Sequence, residues 1–465
     1  MSAFKLHTLK QKLWAIVAAS FVARVVMFFT LPNTASSLAP DENTYAILAK
    51  WISESKPASG FPGYGDRLYL SSRSIIIPAS TFIRLGMDEL DAVRVTSSIY
   101  GFLALCIVAF LCTKSARFLP TGVESKKNEH LVVTLLLVYA FLPSHFVWSN
   151  LGLRESPNEF WLITCFLGVF FLYQEGQSKK ALITVLISIS IICTFSSRPQ
   201  VGWVLVVTLL IYSLFRLRNK LTFLLITSIF IGLFAGYLAT SSYVYVTNDV
   251  YVAKNSSTTS TDASKLCDGT KAKVEYEGKV YECIKTGTVT KRERPSNLAE
   301  VAIDQVEVLP DKQVVNQIGA VSVIERLTCP WEESSKIGKY GCLAYRAPYM
   351  TLTFLFRPLP FIDTTSLSSI FAATENMLWI LMFALIVYRV IKARVIPFLG
   401  EIGPAIIFFS LYTVGAGSYE GNLGTAFRHK SLILWIVLLL LFTLFWREGA
   451  ETKEAKRNNS QESAV

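Results

Sequence analysis

The residues able to do chemistry in this chain fall in short polar breaks between long apolar runs. Asp41 and Glu42 stand in Pro40-Asp41-Glu42-Asn43-Thr44-Tyr45. Arg154 and Glu155 are neighbours within Ser149–Pro157, and Arg198 lies between Ser197 and Pro199. Glu375 interrupts one apolar run and Arg24 another. The last break, Glu420–Lys430, carries Asn422, Arg428, His429 and Lys430. Such a set offers two chemistries at once. A carboxylate can take the proton of a hydroxyl and so activate it as a nucleophile. Arginine and lysine can hold an anionic group and steady charge that develops on it. A plainer reading stands beside each. Asp41 is also the residue type that caps a helix, with Glu42 favouring the positive end of Tyr45–Ser53. Any one arginine also fits a side chain whose stem lies along apolar surface with its head at the membrane boundary.

The elements that must position these residues are membrane helices. Hydrophobic residues make up 52% and charged residues 17% of the chain, and the apolar ones collect in runs. The clearest are Val95–Thr113, Leu131–Leu153, Ala181–Ser197, Pro199–Phe215, Leu221–Asn248, Ile402–Tyr419 and Ser431–Trp446. Leu13–Leu31, Glu159–Tyr173 and Ser369–Tyr388 bring the expected spans to about ten. In lipid a segment must satisfy its own backbone, so these runs are expected as helices of an all-α polytopic protein. Ser74–Gly86, which contains Pro78 and Arg84, is expected along the interface. Seven such runs exclude a soluble enzyme. The first span lacks a small-residue cleavage site and is expected to stay as an anchor.

Basic residues set the orientation. With the N-terminus in the cytoplasm, Lys5, Lys10, Lys12, Lys114, Arg117, Lys179, Lys180, Arg216, Arg218, Arg389 and Arg394 all fall inside. The net charge of +11 is then mostly a topology signal, which argues against nucleic acid as a partner. The outer breaks are Thr30–Asp91, Ser149–Asn158, Ser197-Arg198, Asn248–Ser368 and Ser418–Lys430. Every candidate site residue reaches that face. The expected organisation is a first membrane part over 1–247, with an outer loop at 31–91. An extracytoplasmic insertion follows at 248–357, then a second membrane part at 358–446 and a cytoplasmic tail at 447–465.

Cysteines agree with this placement. Cys106, Cys112, Cys165 and Cys193 lie in spans, while Cys267, Cys283, Cys329 and Cys342 lie in the insertion. Four cysteines allow three pairings. Neighbour pairing, Cys267–Cys283 and Cys329–Cys342, would close two short loops worth about 3 kcal/mol each. Disulfides need an oxidising compartment. A zinc site is the competing reading, and the insertion contains no histidine to favour it. Alternation in Lys271–Ile284 around Glu277-Gly278 reads as a hairpin, making the insertion partly β.

The order of these motifs resembles the GT-C superfamily of membrane glycosyltransferases, which includes protein O-mannosyltransferases and aminoarabinose transferases. The likeness lies in a first span with an arginine, then an outer Asp-Glu pair and a short interfacial helix. Ser149–Pro157 resembles the Arg-Glu turn after the third span of bacterial members, and Ser197-Arg198-Pro199 their arginine at the outer end of a later span. Glu420–Lys430 resembles the Asn-x-Gly-Thr-x-x-Arg segment of exopolysaccharide-locus relatives. The disulfide-bearing insertion departs from the many relatives whose soluble domain follows the last span. The resemblance implies transfer of a sugar from a polyprenyl-phosphate donor to a hydroxyl of a glycan, lipid or protein, with inversion, outside the cell or inner membrane. Asp41 would be the base, and Glu42 would orient it or the acceptor. Arg198, Arg428 and Lys430, with Asn422 and His429 beside them, would hold the donor phosphate. Arg154 and Glu155 would pair with each other, and Glu375 with Arg24. Some members use a divalent metal, but no Asp-x-Asp motif is present here and no cofactor is expected. A polymerase or ligase of lipid-linked oligosaccharides, or a flippase, would share many of these features.

Overall fold

The computed structural model of the protein describes residues 9–32, 39, 41–56, 58, 65–115, 125–174, 179–215, 221–241, 245–254, 259–260, 273–276, 279–292, 336–363, 367–393, 402–419 and 423–444. Helices dominate. Before the insertion they are α1 (Leu9–Thr30), α2 (Asp41–Ser53), α3 (Gly65–Leu70), α4 (Arg73–Arg84), α5 (Glu89–Ser115) and α6 (Ser125–Phe141). Then come α7 (Pro143–Trp148), α8 (Glu155–Gln174), α9 (Lys180–Ser197), α10 (Pro199–Phe215) and α11 (Leu221–Ser241). After it come α12 (Lys336–Phe356), α13 (Leu367–Ala393), α14 (Gly403–Tyr419) and α15 (Leu423–Lys430).

Among the described residues, five helical stretches are long and apolar enough to cross a membrane: Leu9–Thr30, Glu89–Thr113, Lys180–Ser197, Ile370–Lys392 and Thr425–Leu444. Glu129–Phe141, Pro199–Phe215, Leu221–Phe234 and Gly403–Ser418 are shorter apolar helices. The protein is thus an all-α membrane protein in its main body. One continuous core runs through these helices, from Leu13 and Ile16 through Ile163 and Ile187 to Trp435.

Three elements differ from expectation, each for a local reason. The run Leu131–Leu153 is not one helix. Pro143 has no amide hydrogen to continue α6, so it opens α7, and the chain then turns through Leu153. The run Leu221–Asn248 stops as a helix at Ser241 and becomes a strand from Tyr245, where aromatic and β-branched residues favour extension. The 248–357 insertion does not stay separate to its end. Lys336–Phe356, near its end, form α12, which packs along α14. An added Cβ at Gly417 would lie 2.8 Å from the Thr351 Cα, so only glycine allows that approach.

The earlier part of the insertion contains a four-stranded antiparallel sheet of order β2-β1-β4-β3. Its strands are β1 (Tyr245–Lys254), β2 (Thr259–Ser260), β3 (Lys273–Tyr276) and β4 (Lys279–Arg292). Tyr276 pairs with Lys279 across the expected Glu277-Gly278 turn. Cys283 and Cys342 each take part in a disulfide bond. Cys267 and Cys329 lie outside the described residues.

A second, smaller core supports the segment between α1 and α5. Helix α4 has Ile75, Ile76 and Ala79 buried against Tyr45, Leu48 and Ala49 of α2 and Val93 of α5, with Leu151 and Leu153 completing the cluster. Its opposite side leaves Ile77 exposed. Arg84 caps α2 by donating to the carbonyls of Ile52 and Ser53 at 3.2 and 3.0 Å. The start of α2, where Asp41 sits, is therefore held on a packed platform.

Candidate active site

Helix α2 begins with a carboxylate pair whose members face different ways. Glu42 is fully buried, and Arg94 of α5 grips it with two bonds, Nε to Oε1 at 2.8 Å and Nη2 to Oε2 at 3.1 Å. The Gly152 amide adds a third at 2.9 Å, and Arg94 Nη1 also donates to the Pro32 carbonyl at 2.7 Å. One buried pair thus joins the end of α1, the start of α2, helix α5 and the 149–154 turn. Position 152 must be glycine here, because a Cβ would stand 2.5 Å from Val93. Glu42 has no surface to offer an acceptor; its role is to fix the backbone that presents Asp41. Arg94→Lys keeps the charge but not the paired geometry. We expect it to cost about 1–2 kcal/mol, read as a lower thermal midpoint in detergent.

Asp41, by contrast, keeps half of its side chain exposed. Arg428 Nη1 and Nη2 both reach its Oδ2 at 3.3 Å, a contact between residues 387 positions apart. Arg428 is itself mostly buried, and its Nε lies 3.0 Å from Glu155 Oε1. The same oxygen accepts Arg198 Nη2 at 2.5 Å, and His429 Nε2 stands 3.7 Å away. A line of alternating charge therefore runs inward from the surface: Asp41, Arg428, Glu155, Arg198.

Local structure explains each arrival. Glu155 opens α8, where a carboxylate is favoured by the helix's positive end. Ser97 secures that turn through the Leu153 carbonyl and Ser156. Arg198 ends α9 in an extended conformation, as a residue before proline must. Arg428 and His429 close α15, with Tyr412 donating to the His429 carbonyl at 3.3 Å. Burial pushes the Glu155 carboxyl toward its neutral form, but Arg428, Arg198 and Arg154 overcome this and hold it at about 2. Glu155 stays ionised at any physiological pH and acts as the anchor of the arginines. Three arginines against Asp41 and Glu155 leave the cluster with one net positive charge, and Asp41 is its most exposed member.

Other expected partnerships are replaced. Among the described residues Arg154 and Glu155 form no ion pair; Arg154 donates instead to the carbonyl and hydroxyl of Ser71, at 3.3 and 3.2 Å. Glu375 does not meet Arg24. Its two oxygens accept the amide and hydroxyl of Ser144 at 2.6 and 2.5 Å, at the first turn of α7 where anions are favoured. Arg24 bonds the Ser149 hydroxyl at 2.6 Å and covers the Phe146 ring. Lys430 is fully buried and donates to the carbonyls of Leu355 and Arg357 and to Asn376. It ties α12 to α13 and is not available to a phosphate. Asn422 lies outside the described residues.

No family model, characterised protein or solved structure matches this chain. The sequence had missed Arg94, Ser71, Ser144 and Asn376. Arg94 carried a usable signal, since a lone arginine flanking an apolar run needs a buried partner. It also had missed a deeper pair, His145 with Glu159 at 2.9 Å, where Tyr139 donates to the same carboxylate. No group of three metal-ligating side chains comes together among the described residues.

Proposed function

We propose that this protein is a membrane glycosyltransferase of GT-C type, with about ten spans, that uses a polyprenyl-phosphate sugar at the extracytoplasmic face. The supporting observation is the meeting of a half-exposed carboxylate, Asp41, with Arg428 of a buried arginine cluster. The charges of that cluster match what the reaction needs. Asp41 takes the proton of the acceptor hydroxyl, and the freed oxygen bonds to the anomeric carbon from the face opposite the phosphate. The bond from that carbon to the phosphate oxygen breaks, and the phosphate leaves as an anion without needing a proton. Arg428 stabilises it, with Glu155 fixing the guanidinium in place and Arg198 held on the same carboxylate. As the phosphate engages Arg428, that side chain's long contacts to Asp41 are exchanged, leaving Asp41 free to act as base. The orientation proposed places the sheet and its disulfides in an oxidising compartment, in which Cys283 pairs with Cys267 and Cys342 with Cys329.

Lys430 has no part in this scheme. Lys430→Met should lower the thermal midpoint by uncapping the end of α12, yet leave the Kd for polyprenyl phosphate near its original value. Loss of that affinity with an unchanged midpoint would put Lys430 back at the phosphate. The proposal itself is tested by mass spectrometry of a strain lacking the protein. A polyprenyl-phosphate sugar should accumulate while one surface glycan loses a residue, and the wild-type chain should restore both. An unchanged lipid-linked pool and unchanged glycans would reject it.

A further inference from the structure

The chain between α12 and α13 was expected at the boundary of an aqueous insertion, but its contacts place it lower. Helix α13 descends from the outer side. Glu375 near its start holds α7, Trp379 lies by Lys430, and Phe383 meets Phe409 of α14, with ring centroids 6.1 Å apart. Helix α12 descends beside it, antiparallel to α14: Thr351 faces Gly417, then the Phe354 ring meets Tyr412 and the Phe356 ring meets Phe383. The Asn376 amide donates to the carbonyls of Phe356 and Pro358. Asn376 lies about 9 Å along the helix axis below Ile370, where the apolar window of α13 begins. The turn that follows α12 is therefore level with the apolar window of α13.

Much of its backbone is satisfied within the protein. Irregular chain survives away from water only when its polar groups are satisfied within the protein. Each carbonyl from Leu355 to Leu359 finds a donor. Lys430 takes those of Leu355 and Arg357, Asn376 those of Phe356 and Pro358, and the Ile362 and Asp363 amides that of Leu359. Pro358 and Pro360 have no amide hydrogen to lose. The Leu359 amide bonds Asp363 at 2.7 Å, and the Asp363 carboxylate is neutralised by Arg357 through two nitrogens. While all this polarity turns inward, Phe361 is 98% and Ile362 70% exposed. Phe361 takes a φ of 69°, a conformation that aromatic residues rarely adopt and that surrounding structure must impose. Ile370, Phe371, Met377, Leu378 and Leu381 of α13 are exposed as well.

We infer that residues 357–363 form a re-entrant turn within the outer leaflet, with Phe361 and Ile362 set against the acyl chains of bilayer lipids. The turn sits there whatever reaction the protein performs. Its polar inner side holds Lys430 and Asn376, and through them the end of α15 that carries Arg428.

Photo-crosslinking tests this directly. p-Benzoylphenylalanine is placed at position 361, and separately at 362 in case the first substitution prevents folding. Each protein is irradiated in vesicles of phosphatidylcholine and phosphatidylglycerol, with position 54 as the exposed aqueous control. Phospholipid adducts are expected on the peptide spanning the turn at either position and not at 54. The companion measurement is thiol reactivity: Ile362→Cys should resist a water-soluble maleimide that readily labels Glu54→Cys. Folded protein without lipid adducts at both positions, or equal maleimide labelling at 362 and 54, would overturn the inference. So would adducts that form only when polyprenyl phosphate is added, since the occupant would then be a donor tail.

Discussion

Asp41→Asn is expected to fold, insert and bind polyprenyl-phosphate sugar as the wild type does, and to transfer it about 10²- to 10⁴-fold more slowly. The substitution is nearly isosteric, and the structure shows why it should be tolerated. Asp41 makes only long contacts, at 3.3 Å, with Arg428, and half its side chain is in solvent. The start of α2 is held by Glu42 and Arg94 instead, and that pair is untouched. An amide still accepts a hydrogen bond from Arg428 but cannot take a proton from a hydroxyl. The loss should therefore fall on kcat rather than on donor affinity, which radiolabelled transfer and direct binding measured on one preparation would separate. Near-normal transfer by Asp41→Asn would reduce Asp41 to the first residue of a helix.

Glu155→Ala should be the most damaging substitution for the site's structure. It leaves Arg198 and Arg428 buried beside each other without the carboxylate that both approach at 2.5 and 3.0 Å. Removing one partner of a buried ion pair typically costs 3–5 kcal/mol, so we expect a large fall in thermal midpoint together with loss of donor binding. The sign of its pH dependence follows from the carboxyl itself. Its folded value, about 2, lies below the ordinary 4.5, so ionised Glu155 favours the native state, by about 3 kcal/mol at neutral pH. That contribution is fully present above the unfolded value and fades as pH falls from about 4.5 toward 2. The difference in midpoint between wild type and Glu155→Gln should hold steady from pH 7 to about 5 and shrink below it. A difference that instead grew on acidification would show that Glu155 is not held ionised by the arginines.

Much of the membrane body was legible because apolar runs report themselves: Ala181–Ser197 and Pro199–Phe215 match α9 and α10 almost to the residue. Helix α12 was not, because Lys336, Lys339, Arg346 and Pro348 lower its apolar character and its packing on α14 becomes visible only in three dimensions. That Asp41, Arg198 and Arg428 could gather in one place was legible from charge at the ends of spans. Their partners were not. Spacing along the chain says that Glu155 needs a cation, but not that Arg428 lies closer than the adjacent Arg154. Glu375 reads as a buried acid in need of a base until the break at Pro143 is seen to supply a helix N-terminus. Glu42 read as chemistry because its neighbour is exposed, while one helical step turns it fully inward.

The most direct test of the account uses membranes from a strain lacking the protein, which retain both donor and acceptor. Purified wild-type chain added to them should release polyprenyl monophosphate as the sugar appears on the acceptor with inverted anomeric configuration, and Asp41→Asn should release almost none. Movement of the lipid-linked sugar across the bilayer without release of polyprenyl phosphate would contradict the account, as would equal release by wild type and Asp41→Asn.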